Sequence, residues 1–140
     1  MTRDMWKLAL LAAVGVTTGA ALAADKVDAG KSEYNVSCAV CHGLTGKGDG
    51  PYKGALVKAP SDLTLLAKKN GGVYPFDRVL GSIDGRVDPA AHGSREMPVW
   101  GQRYALRAAE YYTDVPYDPE AYIRARVLAL TEYIYRMQAK

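Results

Sequence analysis

The stretch CAVCH, residues 38–42, contains both cysteines of this 140-residue chain and one of its two histidines. A disulfide between Cys38 and Cys41 would close a very small loop and so gain little from the entropy of the unfolded chain. A zinc site needs about four ligands, and only His92 remains to join Cys38, Cys41 and His42. A dithiol redox site usually accompanies a βαβ unit, which the sequence does not suggest.

Two cysteines separated by two residues and followed at once by histidine form the attachment motif of c-type haem. Residues three and four apart lie on one face of a helix. Cys38 and Cys41 can therefore each form a thioether to a vinyl group, while His42 reaches the iron as its proximal ligand. The motif predicts one covalently bound haem c, and the disulfide, zinc and dithiol hypotheses stay as alternatives.

The first residues have the layout of a secretory signal peptide. Arg3 and Lys7 precede an uncharged apolar run that ends in the small-residue pattern Ala21-Leu22-Ala23. We predict a signal peptide over residues 1–23, cleaved after Ala23 or Ala24, and export to the periplasm. The alternative is a retained membrane anchor, although the run is rich in alanine and shorter than the about 20 strongly apolar residues that span a bilayer.

The rest of the chain, residues 24–140, has the composition of one soluble globular domain. The sequence is 24% charged and 49% hydrophobic, and its length suits a single core. Without Arg3, Asp4 and Lys7, the 18 basic and 15 acidic side chains are reduced to a net charge of +2. So small a charge, with no concentrated basic stripe, gives no indication of nucleic-acid binding.

Helical periodicity dominates the mature sequence, and no segment alternates as a strand does, so we predict an all-α fold. Asp118 and Pro119 indicate a strong helix start, as cap and first helical residue. Gly30 inside the first helix suggests close approach of another helix. The glycines of residues 43–56 are expected to let the backbone pass close to a flat ligand. The first predicted helix is 26–41, with an apolar stripe of Val27, Gly30, Tyr34, Cys38 and Cys41, and a short helix over 62–69 is capped by Ser61. A third helix begins at Pro75 and ends at Gly85, and its apolar face is Phe76, Val79, Leu80 and Ile83. A fourth covers 102–112, and the last buries Ile123, Val127, Leu130, Ile134 and Met137.

The segment HGSREMPVWG, residues 92–101, is predicted to be a loop and offers a second metal ligand. Met97 precedes a proline, which favours an extended backbone, and its flexible thioether can reach inward. His92 stands in a polar surround and could also bind haem iron. Met137 is assigned to the core by its helical spacing. Met97 is therefore the favoured sixth ligand, with His92 or an open position as alternatives.

Taken together, these motifs resemble the class I c-type cytochrome family over nearly the whole mature chain. The resemblance is carried by Gly30, Tyr34, CAVCHG at 38–43, Gly46, GDGP at 48–51, APSDLT at 59–64, MPVWG at 97–101 and Tyr133 in the last helix. It implies a cytochrome c fold in which the first and last helices cross, with short helices and loops around one haem. It also implies contact between Gly30 and the region of Tyr133.

The same resemblance implies the ligands and their supports. His42 and Met97 would be the axial ligands of the iron. A proline carbonyl, Pro60 or otherwise Pro51, would accept the proton on the other ring nitrogen of His42, which fixes its tautomer. Pro98 and Trp100 would hold the methionine loop against the ring.

One segment departs from compact members of that family. About 17 residues, QRYALRAAEYYTDVPYD, separate Gly101 from the last helix. Their tyrosines are Tyr104, Tyr111, Tyr112 and Tyr117. They are expected to pack on the core, and a docking surface is the alternative, since tyrosine is enriched at interfaces.

Lysines between residues 43 and 69 are either a solvated surface or a means of steering acidic partners.

A six-coordinate iron leaves no place for a substrate, so the expected function is electron transfer and not enzymatic catalysis. The chain would carry single electrons in the periplasm between redox protein partners such as a dehydrogenase, an oxidase or another cytochrome. One alternative is the dedicated electron-accepting subunit of a periplasmic dehydrogenase. Another, of a different class, is a haem-based sensor or ligand binder, which needs an open or displaceable sixth position.

Overall fold

A computed structural model describes residues 27–86, 97–113, 116 and 118–139, and in that part of the chain the fold is all-α without a strand. The helices are α1 (Ala29–Ser37), α2 (Ala39–His42), α3 (Phe76–Asp84), α4 (Trp100–Tyr111) and α5 (Pro119–Arg136). Three 3₁₀ turns lie at Lys53–Ala55, Leu63–Leu65 and Lys68–Asn70. The prediction of an all-α fold is confirmed.

Helix α5 is the element against which α1, α3 and α4 all pack. It begins as predicted, because the Asp118 carboxylate accepts a hydrogen bond of 2.9 Å from the Glu120 N–H and Pro119 is the first helical residue. Met137 lies just beyond its last turn and is only partly buried. The buried face is the one that periodicity predicts: Ile123, Val127, Leu130 and Ile134.

The core lies between α5 and the three helices around it. Helix α1 contributes Tyr34, α3 contributes Val79 and Ile83, and α4 contributes Trp100 and Tyr104. Burying an aliphatic or aromatic side chain of this size contributes about 1.5 to 3 kcal/mol. Packing on α5 therefore supplies much of the free energy that holds the short helices in place.

The first and last helices touch at Gly30, as predicted. A Cβ atom placed on Gly30 would lie 2.9 Å from the Tyr133 Cβ and would overlap the carbonyl oxygen of Ala129. Beside this contact, the rings of Tyr34 and Tyr133 pack with their centroids 5.2 Å apart. Only glycine at position 30 lets the two backbones approach this closely.

The predicted helix over residues 26–41 is wrong in its extent. The Asp28 carboxylate accepts from the Lys31 N–H at 3.0 Å, so the helix begins after Asp28 and leaves Val27 outside it and 84% exposed. The helix then stops at Ser37, and a new turn begins after Cys38. The CAVCH motif thus occupies a helical turn of its own.

The predicted helix over residues 62–69 is also wrong, since two 3₁₀ turns stand there. Asp62 is the cap and not Ser61: its carboxylate accepts from the Thr64 N–H at 2.8 Å. The Gln138 side chain accepts from the Ala67 N–H at 2.9 Å and donates to the Leu63 carbonyl at 2.7 Å. These backbone groups find partners outside the segment, which removes the need for α-helical pairing.

Helix α3 starts after Pro75 and ends at Gly85, which has a φ of 70°, and both limits match the prediction. Of its predicted apolar face, Val79 and Ile83 are buried, Leu80 is half-buried and Phe76 is exposed. Helix α4 starts at Trp100, so the predicted loop ends there and the predicted helix 102–112 begins two residues early.

Two predictions fall on residues outside the described part of the chain. Residues 1–26 include the expected signal peptide or anchor, and residues 87–96 include His92. Among the helices of the described residues, none has the length and apolarity needed to cross a membrane.

Substitution of Gly30 by alanine tests the helix contact. The added Cβ forces α1 and α5 apart, and overpacking of this kind lowers the free energy of unfolding by about 1 to 3 kcal/mol. Gly81→Ala in α3 is the matched control, because an added Cβ there meets nothing within 4 Å. It should stabilise by about 0.5 to 1 kcal/mol through helix propensity. Urea denaturation measures both, and equal effects would refute the contact.

Candidate functional site

The predicted site residues of two distant segments meet at one cavity. Its volume is about 400 Å³, and its walls include Cys38, Cys41 and His42 from one segment and Met97 from the other. The N–H groups of Cys41 and His42 both donate to the Cys38 carbonyl, at 3.1 and 2.9 Å. This single turn places the two thiols and the imidazole at the same cavity.

The imidazole of His42 is oriented by a backbone carbonyl. Its Nδ1 lies 3.1 Å from the Ser61 carbonyl oxygen, which can only accept, so Nδ1 carries the proton and Nε2 has the lone pair that can bind a metal ion. The partner of Nδ1 is therefore the carbonyl of Ser61, the residue after Pro60, and not the expected carbonyl of Pro60 or Pro51. The Pro60 carbonyl instead lies against Gly48, where a Cβ would overlap it, while Pro60 itself lines the cavity.

Burial lowers the pKa of His42, and the hydrogen bond to the Ser61 carbonyl opposes this only in part. The imidazole is then neutral at neutral pH, which is the form that binds a metal ion.

Both cysteines are free thiols, so the disulfide hypothesis has no support in the structure. Burial, followed by the charge of Glu33 and by Cys41, raises the pKa of the Cys38 thiol to about 12. Catalytic dithiols are activated by the opposite shift, toward a stable thiolate. A dithiol redox role therefore lacks its usual electrostatic basis.

The glycine-rich segment packs against α2. The N–H groups of Gly48, Gly50 and Tyr52 donate to the last carbonyls of that turn at 2.9 to 3.1 Å. A Cβ on Gly50 would lie 2.6 Å from the Val40 carbonyl oxygen. Gly48 also has a φ of 75°, which favours glycine. The close approach that Gly50 permits is to the backbone of α2, and the one that Gly48 permits is to the Pro60 carbonyl.

Tyr34 holds the start of this segment by a side-chain hydrogen bond. Its hydroxyl donates a buried hydrogen bond of 2.8 Å to the Gly43 carbonyl, directly after the CAVCH turn, and its ring is fully buried. The apolar stripe predicts that Tyr34 is buried, but the partner of its hydroxyl is set by the fold of the loop.

The second wall of the cavity is formed by Met97 and by the residues at the start of α4. Met97 and Pro98 line the cavity ahead of the helix, and Trp100, only 6% exposed, lines it from the first turn. The Arg103 guanidinium stands 5.2 Å from the centre of the Trp100 ring and also lines the cavity. Sequence reasoning did not single out Arg103, although its spacing of three residues from Trp100 places both on one helix face.

A zinc centre is not indicated by the described residues. Within residues 27–86, 97–113 and 118–139, no group of three or more His, Cys, Asp or Glu side chains could hold a metal ion. The donors that face the cavity are instead a neutral imidazole and a thioether, from His42 and Met97. Imidazole and thioether are both side chains that could bind the iron of a haem.

The tyrosines of the segment after Gly101 divide between the two expected roles. Tyr104 is fully buried in the core, whereas Tyr111 is 77% exposed. Tyr112 packs edge-on against both Tyr111 and Tyr122, with centroids 5.0 and 6.1 Å away. Tyr117 lies outside the described residues. Core packing therefore explains Tyr104 but leaves Tyr111 at the surface.

Comparisons of the chain with protein-family models, with curated proteins and with solved structures found no match.

Replacing Tyr34 by phenylalanine should lower the free energy of unfolding by about 1 to 3 kcal/mol, because the buried Gly43 carbonyl loses its donor. Tyr135→Phe is the control, since Tyr135 is 58% exposed and its loss of a hydroxyl should change stability by no more than about 0.5 kcal/mol. Denaturant titration of both variants checks the expectation. A Tyr34→Phe protein as stable as the wild type would contradict the role of this hydrogen bond.

Proposed function

We propose that this chain is a monohaem c-type cytochrome of class I that carries single electrons by outer-sphere transfer. The observation that carries the proposal is the meeting of Cys38, Cys41, His42 and Met97 at one cavity. Three of these residues belong to the haem-attachment motif, and the fourth comes from a segment more than 50 residues away in the sequence.

The volume and the lining of the cavity support a covalently attached haem. Its volume of about 400 Å³ lies within the range of cofactor pockets, and its walls are largely apolar side chains such as Val40, Leu56 and Trp100. The thiols of Cys38 and Cys41 would hold the ring through thioethers. When bound, haem supplies a one-electron iron couple, and the protein supplies orientation and electrostatics.

His42 would be the proximal ligand through Nε2. The Ser61 carbonyl holds the ring in one tautomer and increases its donor strength, as partners of metal-binding histidines usually do. Because the acceptor is a backbone carbonyl, the orientation of the imidazole depends on the fold of the 59–65 segment and not on the conformation of a side chain.

Met97 would be the sixth ligand. A thioether is a soft ligand that favours reduced iron and raises the reduction potential. Because His42 and Met97 would both hold the iron, no position would be left for a substrate, and electrons would pass to a partner protein without a bond to the iron. An electron carrier, and not an enzyme, is the function that this ligand pair supports.

The helix arrangement supports the proposed cytochrome c fold. The contact of α1 with α5 at Gly30, close to Tyr133, is the one that the family resemblance implies. The chain differs from compact members in α4, which fills the segment between the methionine loop and α5.

We further propose that the mature protein, residues 24–140, works in the periplasm with other redox proteins as donor and acceptor. A dedicated subunit of a dehydrogenase is a second candidate, favoured by one observation. Leu106 and Tyr111 on α4 are 64% and 77% exposed, and tyrosine is enriched at protein interfaces.

Haem attachment is tested first. Expressed in a host that matures c-type cytochromes, the wild-type chain should keep a haem stain on a denaturing gel. Cys38→Ala with Cys41→Ala should lose it, because no thioether can form. Met137→Leu is the control and should stain as the wild type does. An unstained wild-type chain would refute the proposal.

The sixth ligand is tested by Met97→Ala. Loss of the thioether should abolish the long-wavelength sulfur-to-iron absorption of the oxidised protein and lower its reduction potential. His92→Ala should leave both unchanged. If His92→Ala and not Met97→Ala removed the ligand, the histidine alternative would replace the methionine.

The sensor hypothesis is tested with carbon monoxide. A carrier with a bound thioether should bind the gas slowly when reduced, and Met97→Ala should bind it much faster. Equally rapid binding by both proteins would indicate an open sixth position and favour the sensor.

A further inference from the structure

Glu33 is a buried carboxylate that the proposed electron transfer does not itself require. It lies in α1, one turn before Ser37 and five residues before Cys38, and is 8% exposed. The pattern of the first helix does not predict its burial, since it falls beside the apolar stripe. Burial of an ionised group is costly unless hydrogen bonds and opposite charges compensate it.

Four donors from three helices surround this carboxylate. Oε1 accepts from the Ser37 hydroxyl at 2.7 Å and from the Tyr104 hydroxyl at 3.0 Å. The Arg107 guanidinium lies 3.5 Å from Oε1, and the Arg126 guanidinium lies 3.4 Å from Oε2. An ionised carboxylate can only accept hydrogen bonds, so an arrangement of donors alone suits the charged form.

Two of these partners connect Glu33 to the cavity. Ser37 lines the cavity directly and precedes Cys38. Tyr104 packs against Trp100, with ring centroids 6.0 Å apart, and Trp100 also lines it. The charge of Glu33 is also the second contributor, after burial, to the raised pKa of Cys38. Its field therefore reaches the place where the ring would be attached.

The positive charges that face Glu33 are better solvated than it is. The side chains of Arg107 and Arg126 are 51% and 39% exposed, against 8% for Glu33. Solvent and salt screen exposed charges more than buried ones. Within the protein the negative charge is consequently screened the least of the three.

We infer that Glu33 acts on the haem site as a fixed, buried negative charge that lowers the reduction potential, with Arg126 and Arg107 moderating it. This inference rests on the proposed function. A negative charge stabilises the oxidised iron, which carries one more positive charge than the reduced iron. Glu33 would thus offset part of the rise in potential that the Met97 thioether causes.

The experiment compares reduction potentials of purified, haem-loaded variants. Glu33→Gln keeps the size and an acceptor oxygen but removes the charge, so its potential should rise. We expect up to about a tenfold change in the equilibrium constant of reduction, which is about 59 mV for one electron. Arg126→Gln leaves the carboxylate less compensated, so its potential should fall. Glu132→Gln, at an exposed site of α5, is the matched control for loss of one negative charge.

Opposite shifts separate an electrostatic role from a structural one. A network that only joined α1, α4 and α5 would lose stability in both variants, measured by denaturation, without opposite changes in potential. The inference is overturned if Glu33→Gln shifts the potential no more than Glu132→Gln, or in the negative direction. If Glu33→Gln does not fold, Arg126→Gln decides in its place: its potential must fall by more than that of Arg124→Gln, which removes an exposed positive charge from the same helix. A wild-type chain without covalent haem would overturn the proposed function, whereas haem with unshifted potentials overturns only the role of Glu33.

Discussion

The contact of α1 with α5 at Gly30 is the constraint on which the candidate site depends. Helix α1 leads directly into the CAVCH turn, so its position on α5 determines where Cys38, Cys41 and His42 stand. Helix α5 also carries α4, whose first turn presents Trp100 beside Met97. One backbone contact that only glycine permits thereby aligns two halves of a cavity that are distant in the sequence.

Apart from the contact at Gly30, which the family resemblance implied, the features that sequence could predict are those determined by residues close together in the chain. The spacing of CAVCH, the Asp118-Pro119 helix start and the buried face of α5 depend on residues within a few turns of one another, and the structure reproduces each of these local arrangements. The end of α3 at Gly85 belongs to the same class, since a left-handed glycine ends a helix by local geometry.

The features that sequence missed depend on partners far along the chain. Gln138 satisfies the backbone of Leu63 and Ala67, so the 62–69 segment forms 3₁₀ turns where its own residues favour a helix. That local path in turn presents Ser61 and not Pro60 to His42. Glu33 can be buried because Tyr104, Arg107 and Arg126 contact it from other helices, and no pattern within α1 predicts these contacts.

The hydrogen bonds of Gln138 also bear on the order in which the site is completed. The CAVCH turn and the loop behind it are joined by contacts between residues 38 and 52, which are available early in synthesis. The segment after Ser61 gains its last partners only when residues 138 and 139 arrive, because the Ala139 N–H donates to the Thr64 carbonyl at 2.8 Å. The turn that bears both cysteines therefore depends on partners close to it in the sequence. The segment that supplies the acceptor for His42 depends in addition on residues at the far end of the last helix, so the orientation of the imidazole is linked to the packing of that end.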